Sequence, residues 1–407
     1  MTFLGWSALH LDNSLVHAVV VPDIGGRVLQ FSLGGHAYLF VNQHLAGTLF
    51  SPEENRGDGT IASWKNYGGN KTWPAPQGWS GPDEWAGPPD PVLDSGRFRV
   101  LAADAQHVVV QSPPDPRTGL QITRELELEP GAARAVLRRT LRNLSDRHVR
   151  WSLWDVTQLE CGDGRGGVRP GCHMSVPLHP ASRFPGGYVV LYGPSDNPQW
   201  RTDQAGIFGI EYAGRLGKVG LDSQAGWVAF SDGEWAFVHR FEVRAGADYP
   251  DDGATVEVWT HGPGIAAGVD FGQQQLRGEF MEMEVLGPLE PLAPGQAASA
   301  AIEWAACRCP GRILDVTPAG CVARPLAVVR EAGWTRVRGT FGLFAPGRVQ
   351  LRQAASARTL LERHGGPLAP LELDEALDLD LGPGALELVV LDEAGTVRGR
   401  LARADAT

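Results

Sequence analysis

Apolar residues in this chain fall in short runs, and most of these runs end at glycine or proline. The run Leu15–Val21, for example, ends at Pro22. Short runs bounded by turn-forming residues are typical of β-strands. Two pairs of runs separated by Gly or Pro turns predict hairpins: Arg27–Leu33 with His36–Val41, and Leu120–Glu129 with Ala135–Leu144. No segment has a strong helical period, and Leu351–His364 is the best helical candidate. We therefore expect a mainly β, antiparallel protein.

The composition changes near Cys309-Pro310-Gly311, because Trp334 is the only tryptophan that follows it. We predict a large β domain over residues 1–309 and a small, immunoglobulin-like β-sandwich domain over residues 310–407. The acidic segment Pro370–Leu381 is expected to be an exposed connection.

Composition narrows the functional classes. The 407 residues include 43% hydrophobic and 20% charged residues and carry a formal net charge of −11, as expected of a folded globular protein. An acidic chain is a poor match for nucleic acid, which binds basic surfaces. Of the 36 basic residues, only Lys65, Lys71 and Lys218 are lysines. We attribute this bias to coding composition, but it makes each lysine worth inspecting.

Compartment and cofactors can also be predicted. The N-terminal residues lack the features of a signal peptide, and no apolar run is long enough to span a membrane. The five cysteines then indicate reduced thiols in a cytoplasm rather than disulfides or a metal site. There is no P-loop, nucleophile elbow or dinucleotide motif, so we expect no cofactor.

The most unusual stretch is Trp64–Trp79, which continues to Trp85 and is rich in glycine and proline. It contains two of the three lysines, and we expect it to be a long loop. Tryptophan rings can stack on the apolar face of a pyranose, while amide and charged side chains bond its hydroxyls. The predicted ligand-binding residues of this stretch are Asn70, Lys71, Trp73, Gln77 and Trp79. The alternative is that the tryptophans only pack.

Glu282 and Glu284 form the second candidate feature. In a strand, alternate residues share a face, so these glutamates lie together and Met281, Met283 and Val285 face the core. One of the two could act as a base if their environments differ. The alternative is a solvated strand face.

Two further residues could join this chemistry. His239 is our first choice among the histidines for a catalytic role, because charged residues surround it in the sequence. Asp155, in an otherwise apolar strand that also carries Gln158, could point into a groove.

Four segments in this order carry a family resemblance: Val21–Arg27, Asn66–Gln77, Tyr249–Val256, and Glu282–Glu284 followed by Gly287–Gly295. Over residues 10–306 the chain resembles DUF4380, a bacterial family of unknown function related to galactose mutarotase-like proteins. The resemblance implies an antiparallel β-supersandwich with a carbohydrate groove. Aldose 1-epimerases use a glutamate as base, which falls near Glu282 or Glu284. Their acid is a histidine, and the comparable region Trp151–Gln158 has none.

We therefore predict a protein that binds a small-molecule carbohydrate and that could carry out aldose 1-epimerase-like acid–base chemistry without metal. Glu282 or Glu284 would be the base, and Lys71 and Arg27 would hold substrate oxygens. Arg27 and Lys71 would also suit a phosphorylated or acidic sugar. Three alternatives stay open: a non-catalytic carbohydrate-binding protein, a glycoside hydrolase or lyase that uses both glutamates, and a structural or assembly protein. Neither nucleic acid nor membrane is expected as a partner, and the sequence makes no prediction of oligomeric state.

Overall fold

Two large antiparallel sheets form the body of the protein. The computed structural model describes residues 1–78, 84–202, 205–266, 268–272, 278–331, 333–377 and 384–405. One sheet has eleven strands in these residues; the order across it is Val189–Tyr192, Gly217–Leu221, Val256–Thr260, Phe280–Leu286, Val149–Glu160, Asn70–Ala75, Arg27–Leu33, Val16–Val21 and Leu9–Asp12, with His36–Ala37 and Glu290–Leu292 paired at its margins. The prediction of an antiparallel β-sandwich is confirmed.

The second sheet has ten strands in the same residues. Its order is Trp200–Thr202, Ile207–Glu211, Cys172–Pro177, Trp227–Asp232, Trp235–Phe241, Ala297–Arg308, Arg134–Asn143, Leu120–Leu128, His107–Gln111 and Arg99–Ala103. Both predicted hairpins are present as paired strands.

The main hydrophobic core lies between the two large sheets. Phe31 of the eleven-stranded sheet contacts Phe237 and Trp304 of the ten-stranded sheet, with ring centroids 5.3 and 5.5 Å apart. All three rings are fully buried. Each sheet therefore keeps one inner face in this core, and we call the opposite face of the eleven-stranded sheet its outer face.

The last hundred residues form two four-stranded sheets around their own apolar cluster. The strands are Asp315–Thr317, Gly320–Glu331, Trp334–Leu343 and Leu371–Leu377 in one sheet, and Thr359–Gly365, Gly347–Gln353, Ala385–Leu391 and Val397–Asp405 in the other. Apolar residues of this sandwich, among them Cys321 and Phe344, pack on Ala236 and Val238 of the ten-stranded sheet. The boundary at residue 309 stays a prediction.

Short elements complete the description. Two small ribbons pair Thr2–Phe3 with Trp6–Ser7 and Ile265–Ala266 with Val269–Asp270. Within the described ranges, the helical elements are an α-helix at Pro52–Arg56 and single 3₁₀ turns at Gln43–Leu45, Ile61–Ser63, Pro185–Gly187 and Asp251–Gly253. None of the helices in the described ranges is long and apolar enough to cross a membrane. All five cysteines are buried free thiols.

Three local predictions were wrong. The helical candidate Leu351–His364 contains parts of two paired strands, Gly347–Gln353 and Thr359–Gly365. In the predicted connection Pro370–Leu381, residues 371–377 form a strand whose leucines at 371 and 373 are buried, while residues 378–381 lie outside the described part of the chain. In Leu371–Leu377 buried and exposed residues alternate, which is the period of a strand, whereas Leu351–His364 is extended through its pairing with neighbouring strands.

The third correction concerns the tryptophan-rich segment, where Asn70–Ala75 is a fully buried strand rather than a loop. It pairs along its whole length with Val149–Glu160. On its other side the described pairing is limited to Val28 with Asn70. A proline such as Pro74 is compatible with a strand where it leaves no ladder bond unmade.

We expect Phe31→Ala to lower the free energy of unfolding by about 3–5 kcal/mol, because it leaves a cavity between the two sheets. Urea denaturation at neutral pH measures the loss. Leu101→Ala is the control, since Leu101 is 45% exposed, and it should change stability by less than about 0.5 kcal/mol. Equal effects of the two substitutions would contradict the position of the core.

Candidate functional site

Five neighbouring strands of the eleven-stranded sheet present polar and aromatic side chains on its outer face. Glu282 lies directly opposite Trp259 on one side and Gln158 on the other. Glu284 is two residues further along the strand that contains Glu282, and it lies opposite Glu257. Paired residues in an antiparallel ladder share a face, and so do alternate residues of one strand. All five side chains therefore project from the same surface, which confirms the predicted alternation around the two glutamates.

A cavity of about 400 Å³ opens on this surface. Among the described residues, its aromatic lining consists of Trp64, Trp73, Trp154, Tyr192, Trp259, Phe271 and Phe280. Its polar lining consists of Thr60, Asn66, Gln77, Gln158, Lys218, His261 and Glu282. We call it the tryptophan cavity. Mostly apolar walls with a few convergent polar groups are typical of a small-molecule site.

Glu282 presents a carboxylate to this cavity. Its Oε1 accepts hydrogen bonds from Lys71 Nζ at 3.0 Å and from Gln158 Nε2 at 2.7 Å, whereas no hydrogen bond from a described residue reaches Oε2. Burial alone would raise the pKa of Glu282, but the charge and hydrogen bond of Lys71, with the bond from Gln158, hold it below its usual value. Glu282 is therefore ionised at neutral pH and has one oxygen available to a ligand.

Lys71 holds Glu282 from behind the cavity wall. Its Nζ lies 5.5 Å from the ring centroid of Trp64 and 4.7 Å from that of Trp73, and its side chain is only 1% exposed. Burial lowers the pKa of Lys71, and the neighbouring Glu282 opposes that shift. Lys71 thus orients Glu282 rather than lining the cavity itself.

Among the described residues, Lys218 is the cation that lines the cavity. Its Nζ lies 2.6 Å from Glu257 Oε2, 3.1 Å from Glu284 Oε2 and 4.6 Å from the ring centroid of Trp154. Trp154 Nε1 donates to the same Glu284 oxygen at 2.9 Å. Burial works against the charge of Lys218, but the two carboxylates raise its pKa, while burial raises the pKa of both Glu257 and Glu284.

Asp94 holds two aromatic rings of the cavity wall in position. It accepts hydrogen bonds from Trp64 Nε1 at 2.8 Å and from Trp73 Nε1 at 3.1 Å, and it forms an ion pair with Arg27. Arg27 also donates to the Gly68 carbonyl at 3.1 Å. Asp94 and Arg27 are fully buried. One carboxylate therefore fixes the two rings that enclose Lys71.

His261 is a neutral wall of the cavity. Its ring stacks on Phe280, with centroids 4.5 Å apart. Burial lowers the pKa of His261 to about 4, although the negative charge of Glu282 opposes the shift. At neutral pH this imidazole is therefore unprotonated.

Some of the residues predicted from the sequence meet at the cavity. Glu282, Trp73 and Gln77 line it, and Lys71 supports it from behind. Arg27 does not reach it and instead neutralises Asp94. Trp79 lies outside the described residues.

Asn70 and Asp155 point to the inner face of the sheet, away from the cavity. Asn70 Nδ2 donates to Asp155 Oδ2 at 2.8 Å, and Arg139 Nη1 of the opposite sheet lies 3.8 Å from Asp155 Oδ1. Arg124 and Arg139 lie opposite each other on neighbouring strands of the ten-stranded sheet, and Arg124 Nη1 donates to the Asn70 carbonyl at 3.3 Å. These residues connect the two sheets, so the structure offers them no contact with a ligand in the cavity.

His239 and Glu284 also lie away from the cavity lining. His239 belongs to the ten-stranded sheet, where it is fully buried and stacks on Trp304 with centroids 5.3 Å apart. Glu284 is on the correct face but is buried beneath Lys218 and Trp154. The structure therefore brings one of the three predicted catalytic residues, Glu282, to the cavity.

Sequence reasoning missed several residues of the site. Lys218 was marked only as one of three lysines, which was a usable signal. Glu257, Trp259 and His261 are every second residue of the strand Val256–Thr260 and the position that follows it, and this spacing could have placed them on one face. Asp94 gave no local signal, because its partners Arg27, Trp64 and Trp73 are distant in sequence. In the described part of the chain no cluster of three or more His, Cys, Asp or Glu side chains is arranged to hold a metal ion.

Comparison with known proteins identifies relatives. The model of the family described as "Domain of unknown function (DUF4380)" matches residues 7–307, which confirms the predicted family resemblance. No curated protein matches the chain. Similar solved structures include a protein from Synechocystis sp. (14% identity, 75% of this chain and 98% of that chain covered, TM-score 0.45). Galactose mutarotase-like proteins from Lactobacillus casei (12%, 73% and 99%, 0.44) and Clostridium acetobutylicum (10%, 76% and 97%, 0.45) also match.

We expect Asp94→Asn to lower the free energy of unfolding by about 3–5 kcal/mol, because it leaves the buried Arg27 without a counter-charge. Urea denaturation followed by tryptophan fluorescence measures the loss. The control is Asp23→Asn, whose partner Arg97 is 83% exposed, and it should cost less than about 1 kcal/mol. A small effect at Asp94 would contradict its role.

His261 should make stability depend on pH. An unfolded histidine titrates near its ordinary pKa of about 6.5, while the folded group titrates near about 4. Between these values the unfolded chain binds more protons, so stability falls as the pH falls from about 6.5 to about 4, by about 3 kcal/mol for this group.

The measurement compares urea unfolding of the wild type and of His261→Gln between about pH 7 and about pH 4. The variant should lose less stability on acidification than the wild type. His44→Gln, at an exposed position, should retain the wild-type profile. An unchanged profile in His261→Gln would contradict burial of a neutral imidazole.

Proposed function

We propose that this chain, which belongs to the DUF4380 family of unknown function, binds a carbohydrate in the tryptophan cavity. The observation that carries the proposal is the combination of aromatic rings with an ionised Glu282 in the same cavity, where no described residue donates a hydrogen bond to Glu282 Oε2. A pyranose has an apolar face that suits an aromatic ring, and its hydroxyls can donate to a carboxylate. Charge-assisted hydrogen bonds of this kind are stronger than neutral ones.

Different residues of the cavity lining would contact the ring face and the hydroxyls of the sugar. Trp259 lies opposite Glu282 on the next strand, so a sugar ring stacked on Trp259 lies within reach of the carboxylate. Gln77 and Asn66 add amide groups to the lining, and Gln158 holds Oε1. By contrast, the rings of Trp64 and Trp73 already face the Lys71 ammonium.

Acid–base catalysis of anomer exchange is a second candidate, favoured by the ionised Glu282 alone. Such chemistry also needs an acid that protonates the ring oxygen. His261 is neutral because burial lowers its pKa to about 4, and Lys218 has its pKa raised by two carboxylates. Neither group is matched to proton donation at neutral pH, so binding is the function that the geometry supports best. The buried position of Glu284 likewise disfavours a glycoside hydrolase that uses both glutamates.

We expect calorimetric titration to detect binding of at least one of glucose, galactose and mannose, with a change in tryptophan fluorescence. Trp259→Ala should weaken binding about tenfold, because it removes a stacking surface. Trp235→Ala is the control, because Trp235 of the ten-stranded sheet stacks on His36 and is not among the residues that line the cavity; it should leave the affinity unchanged. The absence of binding to every sugar tested would overturn the proposal.

Anomer exchange by NMR distinguishes binding from catalysis. We expect bound sugars to exchange their anomers at the uncatalysed rate. Faster exchange that is lost in Glu282→Gln and kept in Glu127→Gln, a change on the exposed surface, would instead establish the second candidate.

A further inference from the structure

Among the described residues, each cation in or next to the tryptophan cavity has an acidic partner. Lys71 pairs with Glu282, and Arg27 pairs with Asp94. Lys218 pairs with both Glu257 and Glu284. In this part of the described structure three cations therefore face four acidic side chains, and none of the three lacks an acidic partner.

These cations are also poorly accessible. Arg27 is fully buried, Lys71 is 1% exposed and Lys218 is 9% exposed. Lys218, the one of them that lines the cavity, has three N–H donors and already contacts two acidic side chains. A phosphate or carboxylate that bound its third N–H would lie beside those acidic groups, and repulsion between like charges would weaken the contact.

The cavity lining combines one ionised carboxylate with several aromatic rings. Glu282 contributes an ionised carboxylate whose Oε2 accepts no hydrogen bond from a described residue. Beside Lys218 and neutral polar groups, the described lining includes the rings of Trp259, Tyr192 and Phe271. The faces of aromatic rings carry partial negative charge and attract cations rather than anions.

We infer that the tryptophan cavity selects sugars that are uncharged or carry an ammonium group, and that it excludes sugar phosphates and uronic acids. This inference rests on the proposed carbohydrate function and assigns its substrate class. Glu282 is the specificity-determining residue: its Oε2 accepts from a hydroxyl or an ammonium of the sugar and repels an anionic substituent. The presence of lysine and arginine near the site, which in sequence suited an acidic ligand, is explained by their internal ion pairs.

The test is a calorimetric titration of the wild type with galactose, galactosamine, galacturonic acid and galactose 6-phosphate, and with the corresponding glucose series, at low salt. We expect galactosamine and galactose, or their glucose counterparts, to bind at least about tenfold more tightly than the two anionic sugars. Equal or tighter binding of an anionic sugar overturns the inference but leaves the carbohydrate function intact. Failure of all the sugars to bind overturns both.

A Glu282 variant and a series of salt concentrations test whether the charge of Glu282 causes the preference for uncharged sugars. Glu282→Gln removes the carboxylate and frees Lys71, so the preference for galactose over galactose 6-phosphate should narrow or reverse. Glu127→Gln, on the exposed surface of the other sheet, should keep the wild-type ratio. Added salt should also narrow the ratio in the wild type, because it screens repulsion, and this measurement needs no variant to fold. A ratio unaffected by Glu282→Gln and by salt would overturn the role of Glu282.

Discussion

A single buried carboxylate, Asp94, is the constraint on which the candidate site depends. It accepts the indole N–H groups of Trp64 and Trp73 and neutralises Arg27. The two rings enclose the Lys71 ammonium, which in turn holds Glu282. A buried charge is tolerated only when it is paired and hydrogen-bonded. Each group in this series therefore depends on the one before it, and the orientation of Glu282 depends on a carboxylate that lies behind the cavity lining.

Two of the three lysines occupy buried sites that suit an ammonium better than a guanidinium. The ammonium groups of Lys71 and Lys218 each lie within 5 Å of a tryptophan ring centroid and beside glutamate. An ammonium is a compact point charge, whereas a guanidinium is a wide planar fork that needs more space and more acceptors. At these two buried positions arginine is a poor replacement for lysine. Lys65, which lies over Phe50, belongs to neither ion-pair group.

The strand pattern of the fold, the family and the face shared by Glu282 and Glu284 could be predicted from periodicity and motifs. Asn70–Ala75 could not, because its glycine and proline neighbours resemble a loop and only pairing with Val149–Glu160 makes it a strand. His239 and Asp155 looked chemically promising in sequence. Both project between the two sheets, where they contact core residues instead of a ligand.

The sequence by itself determined the antiparallel β class and which side chains alternate on each strand, because both follow from a local period of two. Only the tertiary structure decided which strands are neighbours and which carboxylate contacts which cation. Asp94 and Arg27 are 67 positions apart, and Lys71 and Glu282 are 211 apart. Such pairs form because burial makes an unpaired charge costly, and no local pattern records which distant strand supplies the partner.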